Sequence, residues 1–259
     1  MLALLIDGPN LIRRVFAGVP DTASDRAEAV LTACSASLRR ALRQHHPSHV
    51  VLAMDCDGPG WRAGEYPDYK KNRPGMPDDL RCWLPDILDA MAELGGPALA
   101  AAGFEADDVI ATIAAKVVAA DGQVAILSTD KSFCQLVGPG TRVFDHFSGI
   151  EHDRRWIVDR FGVGPEQLTD LLALAGDSSL GVPGIRSVGV HTAAKLLHDH
   201  RDLAGVVEAA QKMSGKLGEK IRAGIANATL AHRLVSLRQD VAMGVNLKDF
   251  RYVPSELDA

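Results

Sequence analysis

Apolar and polar positions change period along this chain and divide it into two parts. Apolar runs of strand length, LALLID (2–7), HVVLAMD (49–55), ALAAAGF (98–104), QVAILSTD (123–130) and TRVFDHF (141–147), are bordered by turn-forming residues. Between them, apolar residues recur at helical spacing over 24–44, 78–94 and 107–120. Strand and helix in alternation predict an α/β fold, a mostly parallel sheet flanked by helices on both faces. From about residue 153 only helical spacing remains, over 153–161, 165–175, 190–200, 202–213 and 216–239. An α/β core over 1–160 is therefore expected to precede a C-terminal helical subdomain over 161–259. The Pro- and Gly-rich stretch 56–77 is the one long irregular segment, and loops of that length in compact domains commonly carry function.

Ligands of open parallel sheets bind beyond the carboxyl ends of the strands. At those ends stand Asp7, Asp55 and Asp130; the third strand leads into Glu105, and Asp107 and Asp108 open the next helix. Asp177 arrives from the helical half in ALAGDSSLGVPG. An acid in the first turn of a helix gains roughly 0.3–1 kcal/mol from the helix dipole, so EADD alone has an ordinary explanation. Acids delivered by four strands to one edge of one sheet repel each other and call for a cation. All-oxygen ligands select a hard one, Mg²⁺ or Mn²⁺. Carboxylate-held divalent metal serves phosphoryl transfer. No G-x-x-x-x-G-K-[ST] cradle for a nucleotide is present, which favours a nuclease over a kinase or ATPase.

Two further stretches suit a phosphate backbone. YPDYKKNRP gathers Lys70, Lys71 and Arg73 with Tyr66 and Tyr69. GVPGIRSVGVHTAAKLL (181–197) has the form of the hairpin in helix–hairpin–helix DNA-binding modules. There Gly184 and Gly189 permit a tight turn, and the following helix offers its first amides to an anion. Carbonyls of such a turn can also hold a monovalent cation against a phosphate.

Composition changes this picture little. The 259 residues are 47% hydrophobic and 24% charged, with a formal charge of −5 that leaves room for a local basic face. No apolar run reaches the roughly 20 residues of a membrane span, and MLALLIDGPN reads as a buried strand rather than a leader. Cys34, Cys56, Cys82 and Cys134 form no C-x-x-C pair, which argues for a reducing cytoplasm and against zinc or a disulfide framework.

Taken in order, LLIDGPNLIRR, WRAGEYPDYKKNRP, GFEADDVIATIA, STDKSFCQL and LAGDSSLGVPGIRSVGVHTAAKLL resemble the bacterial and phage 5′-nucleases, or flap endonucleases. The likeness is greatest to the family's short exonuclease IX-like branch, which is not fused to a polymerase. It implies a PIN-like sheet with a helix–three-turn–helix in the helical subdomain, and an arch or clamp over about 66–95. By the same resemblance Asp7, Asp55, Glu105, Asp107 and Asp108 fall on a first metal site, and Asp130 and Asp177 on a second. Lys70 and Arg73 would act beside the scissile phosphate together with Asp107. Arg14, Tyr69, Lys71, Ser187, Val188, Gly189, Val190, His191, Thr192 and Lys195 would join Lys70 and Arg73 in contacting DNA. Potassium would be held by carbonyls of Leu174, Ala175, Pro183, Ile185 and Val188.

The chain departs from the family pattern where carboxylates are usual: it has Ser132 in STDKS and Leu180 in GDSSLGVPG, and His191 stands where Lys is common. The expected protein is a cytoplasmic, monomeric nuclease acting on DNA with a 5′ flap, gap or single-strand/duplex junction. The missing carboxylates favour one rival, a junction-binding protein with little or no catalysis. A second rival, an RNA-cleaving PIN nuclease, is disfavoured by the hairpin.

Overall fold

The computed structural model describes residues 1–254. β1 (Leu2–Asp7) is apolar until its final residue because it runs through the middle of the sheet, buried on both faces. It pairs in parallel with β2 (His49–Ala53) on one side and β4 (Gln123–Leu127) on the other. β3 (Ala98–Leu99) lies outside β2, β5 (Thr141–Asp145) outside β4, and the short β6 (Ile150–Glu151) closes that edge antiparallel, giving the order β3-β2-β1-β4-β5-β6. Successive side chains alternate between two cores. Ala3, Leu5, Val51, Ala53, Val124 and Ile126 pack against α5 (Ala106–Ala119). Leu4, Ile6, Val50 and Leu52 pack against α1 (Gly8–Gly18), α2 (Arg26–His45) and α4 (Asp78–Glu93).

Several elements differ from the pattern-based expectation. β3 is only two residues long because Ala101–Phe104 closes a turn with Gly103 at φ 79°. α1 follows β1 without a linker: Asp7, the last residue of the strand, is also the cap that accepts the Asn10 amide. α3 (Trp61–Glu65) interrupts the irregular segment. Of the stretch 66–95, α4 buries Leu80, Ile87 and Met91 in the sheet-facing core, so its second half is wall and only 66–77 is irregular.

α6 (Arg154–Phe161), α7 (Leu168–Ala175), α8 (Val190–His200), α9 (Leu203–Lys212) and α10 (Gly215–Val235) build the helical subdomain around Leu171, Leu174, Ile185, Leu197, Val206 and Ile221. After α10 the chain returns to the α/β core. Leu237, Val241 and Phe250 pack on the α5 side, Tyr252 on the other, and Arg251 bridges to His49. By packing, residues 236–254 belong with the first part of the chain and not with the helical one. Among the described residues all four cysteines are unpaired and no helix is long and apolar enough to cross a membrane.

Candidate metal centre and nucleic-acid interface

Strand order reverses between β1 and β4, and the crevice at their carboxyl ends is where the acids meet. Asp7, Asp55, Glu105, Asp107 and Asp130 line one pocket of about 120 Å³, together with Asn10, Arg13, Lys70 and Arg73. Gly8 lets the start of α1 lie close against the end of β2: a Cβ there would lie 2.3 Å from the Met54 sulfur and 2.8 Å from the Ala53 carbonyl oxygen. Ser128 donates to Asp7 Oδ2 at 2.7 Å, linking the ends of β4 and β1. The Asn10 side chain doubles that link through its bonds with the Thr129 amide and hydroxyl. Asp55 accepts the Ala106 amide at 3.0 Å and so caps α5, while Asp130 accepts the Ser132 amide at 2.8 Å.

The pocket is short of positive charge. Burial, and then the neighbouring Asp130 and Asp55, push the Asp7 carboxyl up to about 7 against the opposing bonds from Ser128 and Asn10. Asp107 is raised well above the usual carboxylate range by burial first, then by Asp130 and Asp7, with Lys70 opposing. Among the described residues Asp107 has no hydrogen-bond partner. Among the described residues no three His, Cys, Asp or Glu side chains form a ready-made cage. The H-x-H pair His198 and His200 at the end of α8 likewise joins no such group. A donor set made wholly of oxygens, in which Asp7 and Asp107 resist ionisation, nevertheless fits a hard divalent cation.

Asp108 is separated from these acids. It is fully buried, and Arg62 grips both its oxygens at 2.7 Å while Trp61 Nε1 and the Arg238 amide donate at 2.9 Å. Adjacent helical residues point about 100° apart, so Asp107 and Asp108 do not face one pocket. Its place among first-site ligands is therefore corrected to that of a structural counter-ion. Glu105 lies between the two environments: Oε1 accepts Lys70 Nζ at 2.5 Å, and Oε2 accepts Tyr69 Oη at 3.0 Å and Arg62 Nη1 at 2.9 Å.

Asp177 folds back on its own turn, accepting from the Ser179 amide and hydroxyl and the Leu180 amide. That turn lines a second pocket, of about 450 Å³, with Lys70, Lys71, Asn72 and Arg73, and Asp130 touches both pockets. The Leu180 carbonyl accepts the Lys70 amide at 2.8 Å, and the Ser132 hydroxyl is buried without a partner.

The basic residues divide in a way the sequence did not indicate. Arg13, not the neighbouring Arg14, lines the acid pocket; Arg14 is exposed against Thr129 and the ring of Phe147. Asn10 and Arg13 lie three apart on one face of α1, a signal that exists only once that helix is recognised. Tyr69 is 8% exposed and packs with Ala173 and Val182, so its ring is core and not a platform for a base. Lys71 is exposed and pairs with Asp68.

Between α7 and α8 the Ile185 amide bonds to the Leu174 carbonyl at 2.8 Å and the Val188 amide to the Ile185 carbonyl at 2.9 Å. Ala175 and Pro183 lie on the same turn, where Gly184 touches Ala175: a Cβ would sit 2.3 Å from the Ala175 carbonyl carbon. Gly184→Ala is expected to cost about 1–3 kcal/mol, because the obstacle is backbone, and to weaken duplex binding. A melting curve and a duplex titration check both. Ser187, at φ 64°, and Gly189, Val190, His191 and Lys195 are exposed, Thr192 is half-buried, and Val188 is in the core. No side chain caps α8, so its first amides face outward unclaimed by a cap.

Residues 2–162 match the family model described as 5′-3′ exonuclease, N-terminal resolvase-like domain, and residues 163–258 that of 5′-3′ exonuclease, C-terminal SAM fold. Flap endonuclease Xni of Shewanella sp. (strain ANA-3) is 40% identical over 250 residues, covering 96% of this chain and 94% of the relative. The Xni protein of Shewanella piezotolerans is also 40% identical over 250 residues, covering 96% of each. Among solved structures, the T5 5′-exonuclease with bound zinc superposes with a TM-score of 0.77 at 18% identity, covering 91% of this chain and 89% of that one. The Rad2 catalytic core with DNA substrate superposes with a TM-score of 0.59 at 16% identity, covering 99% and 84%. These distant likenesses bear on the fold.

Proposed function

The chain belongs to the 5′-3′ exonuclease family, and on that premise we propose that it is a divalent-metal-dependent flap endonuclease that hydrolyses DNA near a single-strand/duplex junction. One observation supports this reading above the others: the acids at the β1/β4 switch point share their pocket with Lys70, Arg73 and Arg13.

In this reading Asp7, Asp55, Glu105, Asp107 and Asp130 hold Mg²⁺ or Mn²⁺, with Asp177 nearby on the adjoining pocket's turn. The chemistry that such a cation supplies is polarisation of phosphoryl oxygens and a lowered pKa for water. The protein's own part is orientation and charge. Lys70, paired with Glu105 before substrate arrives, exchanges that partner for a phosphate oxygen, and Arg73 and Arg13 add positive charge where negative charge develops. The first amides of α8 and the exposed Ser187–Lys195 surface hold the duplex backbone. Carbonyls of Leu174, Ala175, Pro183, Ile185 and Val188 would hold potassium, which would supply positive charge beside the duplex backbone. The protein acts as a monomer in the cytoplasm.

The test is cleavage of a 5′-flap oligonucleotide with Mg²⁺ or Mn²⁺. Product that requires the metal is expected; tight binding with no product at any metal concentration would favour the rival, a junction-binding protein. Ser132 and Leu180, which supply no carboxylate, are what keep that rival in view.

A further inference from the structure

Arg62 is the largest fully buried side chain among the described residues, at 2% exposure, and it lies outside the acid pocket. Its guanidinium holds both oxygens of Asp108, Oε2 of Glu105, the Leu234 carbonyl at 2.7 Å and the Ser236 carbonyl at 3.1 Å. Leu234 and Ser236 are at the C-terminal end of α10, where a cation also complements the helix dipole. Asp108 and Glu105 belong to the first turn and the cap of α5. One side chain thus joins the last helix of the helical subdomain to the acids of the α/β core.

The structure assigns to Arg62 the role of a positioning residue, which keeps the Glu105 carboxylate aimed at the metal pocket and α10 in register with it. This rests on the metal-dependent reading above. Glu105 has three donors, two of which, Lys70 and Tyr69, come from the segment that faces the pocket. When Lys70 moves to a phosphate, Oε1 is freed, and Oε2 stays fixed by Arg62 and Tyr69. Without Arg62 the remaining donor to Oε2 among the described residues is the Tyr69 hydroxyl, one neutral bond in place of a charged and a neutral one. Groups that orient metal ligands from behind affect affinity about 10–100-fold.

Asp108 makes the role testable apart from stability. Removing one partner of a buried ion pair leaves an uncompensated charge, whereas replacing both with apolar groups of similar size is often neutral. The double variant Arg62→Met/Asp108→Leu removes both charges but leaves the Leu234 and Ser236 carbonyls, Trp61 Nε1 and the Arg238 amide without these partners, so it is expected to melt below wild type, though less far below than Arg62→Met alone. It is also expected to bind Mn²⁺ about 10-fold more weakly, by electron paramagnetic resonance of the free protein, and to lose kcat with duplex binding in EDTA unchanged. A double variant with wild-type Mn²⁺ affinity and kcat would overturn the assignment. Arg62→Lys covers the case in which the double variant does not fold: one ammonium cannot span Asp108, Glu105 and two carbonyls. A weaker Mn²⁺ site is expected there, and an unchanged one would equally defeat the proposal. Wild-type protein that binds no Mn²⁺ and cleaves no flap would instead remove the functional reading itself, and this role with it.

Discussion

Asp107→Asn is expected to lower flap cleavage more than about 100-fold, beyond what loss of a group merely supporting a metal ligand costs, while raising the metal-free melting temperature at pH 8. The two effects have one cause. Among the described residues Asp107 has no hydrogen-bond partner, so an amide there breaks nothing that holds the fold. Its charge is crowded by Asp130 and Asp7 in a half-buried site, so removing it relieves repulsion. Duplex binding, which the proposed function assigns to the hairpin and the basic loop, is expected to stay within about twofold. Melting curves in EDTA beside a gel assay in Mg²⁺ decide the matter. A variant both less active and less stable would mean that Asp107 supports the structure instead of awaiting a cation.

A second large effect concerns pH. A carboxyl moved from 3.8 to about 7 is worth about 4 kcal/mol between its protonated and ionised forms. Because the folded value lies above the unfolded one, Asp7 contributes stability that is full below about pH 4 and is lost as pH rises through 7. Buried histidines act in the opposite sense. His146 is pushed down to about 4 by burial and by the charges of Arg40 and His45, so its contribution is held above its ordinary 6.5 and lost as pH falls towards 4. The total profile of the wild type therefore mixes two slopes, and the difference from Asp7→Asn separates them. In EDTA that variant is expected to melt close to wild type at pH 4 and progressively higher as pH rises from 4 to 7, with the gap levelling off above 7. Adding Mg²⁺ is expected to close the gap by stabilising wild type alone. A gap that does not change with pH would show that Asp7 is no source of the charge strain.

Much of the site could be read from the chain because β1 ends in Asp7 and the apolar runs of β2 and β4 lead within a few residues to Asp55 and Asp130, and parallel sheets place such ends together. The hairpin was legible for a similar reason, since its glycines are spaced by the backbone's own needs. Asp108 was not. Its partner, Arg62, is 46 positions away in a segment with no periodicity, and only the fold brings them together. Arg13 was hidden by the absence of a recognised helix after β1. With Asp7 serving as both strand end and cap, no linker announces α1, and the face that carries Asn10 and Arg13 could not be assigned. Tyr69 reads as a stacking residue beside Lys70 and Lys71, but aromatic packing under a loop leaves the same trace in sequence.

The return of the chain to its first domain after α10 also sets an order for biogenesis. Leu237, Val241 and Phe250 fill the α5 side of the core, and Tyr252 seals the opposite face. During translation, the acids at the strand ends emerge long before these residues, and the hairpin and all five of its neighbouring helices emerge in between. The α/β core therefore receives its last packing side chains only after the whole helical subdomain has been synthesised, so its completion is the final step of the chain's assembly and not the first.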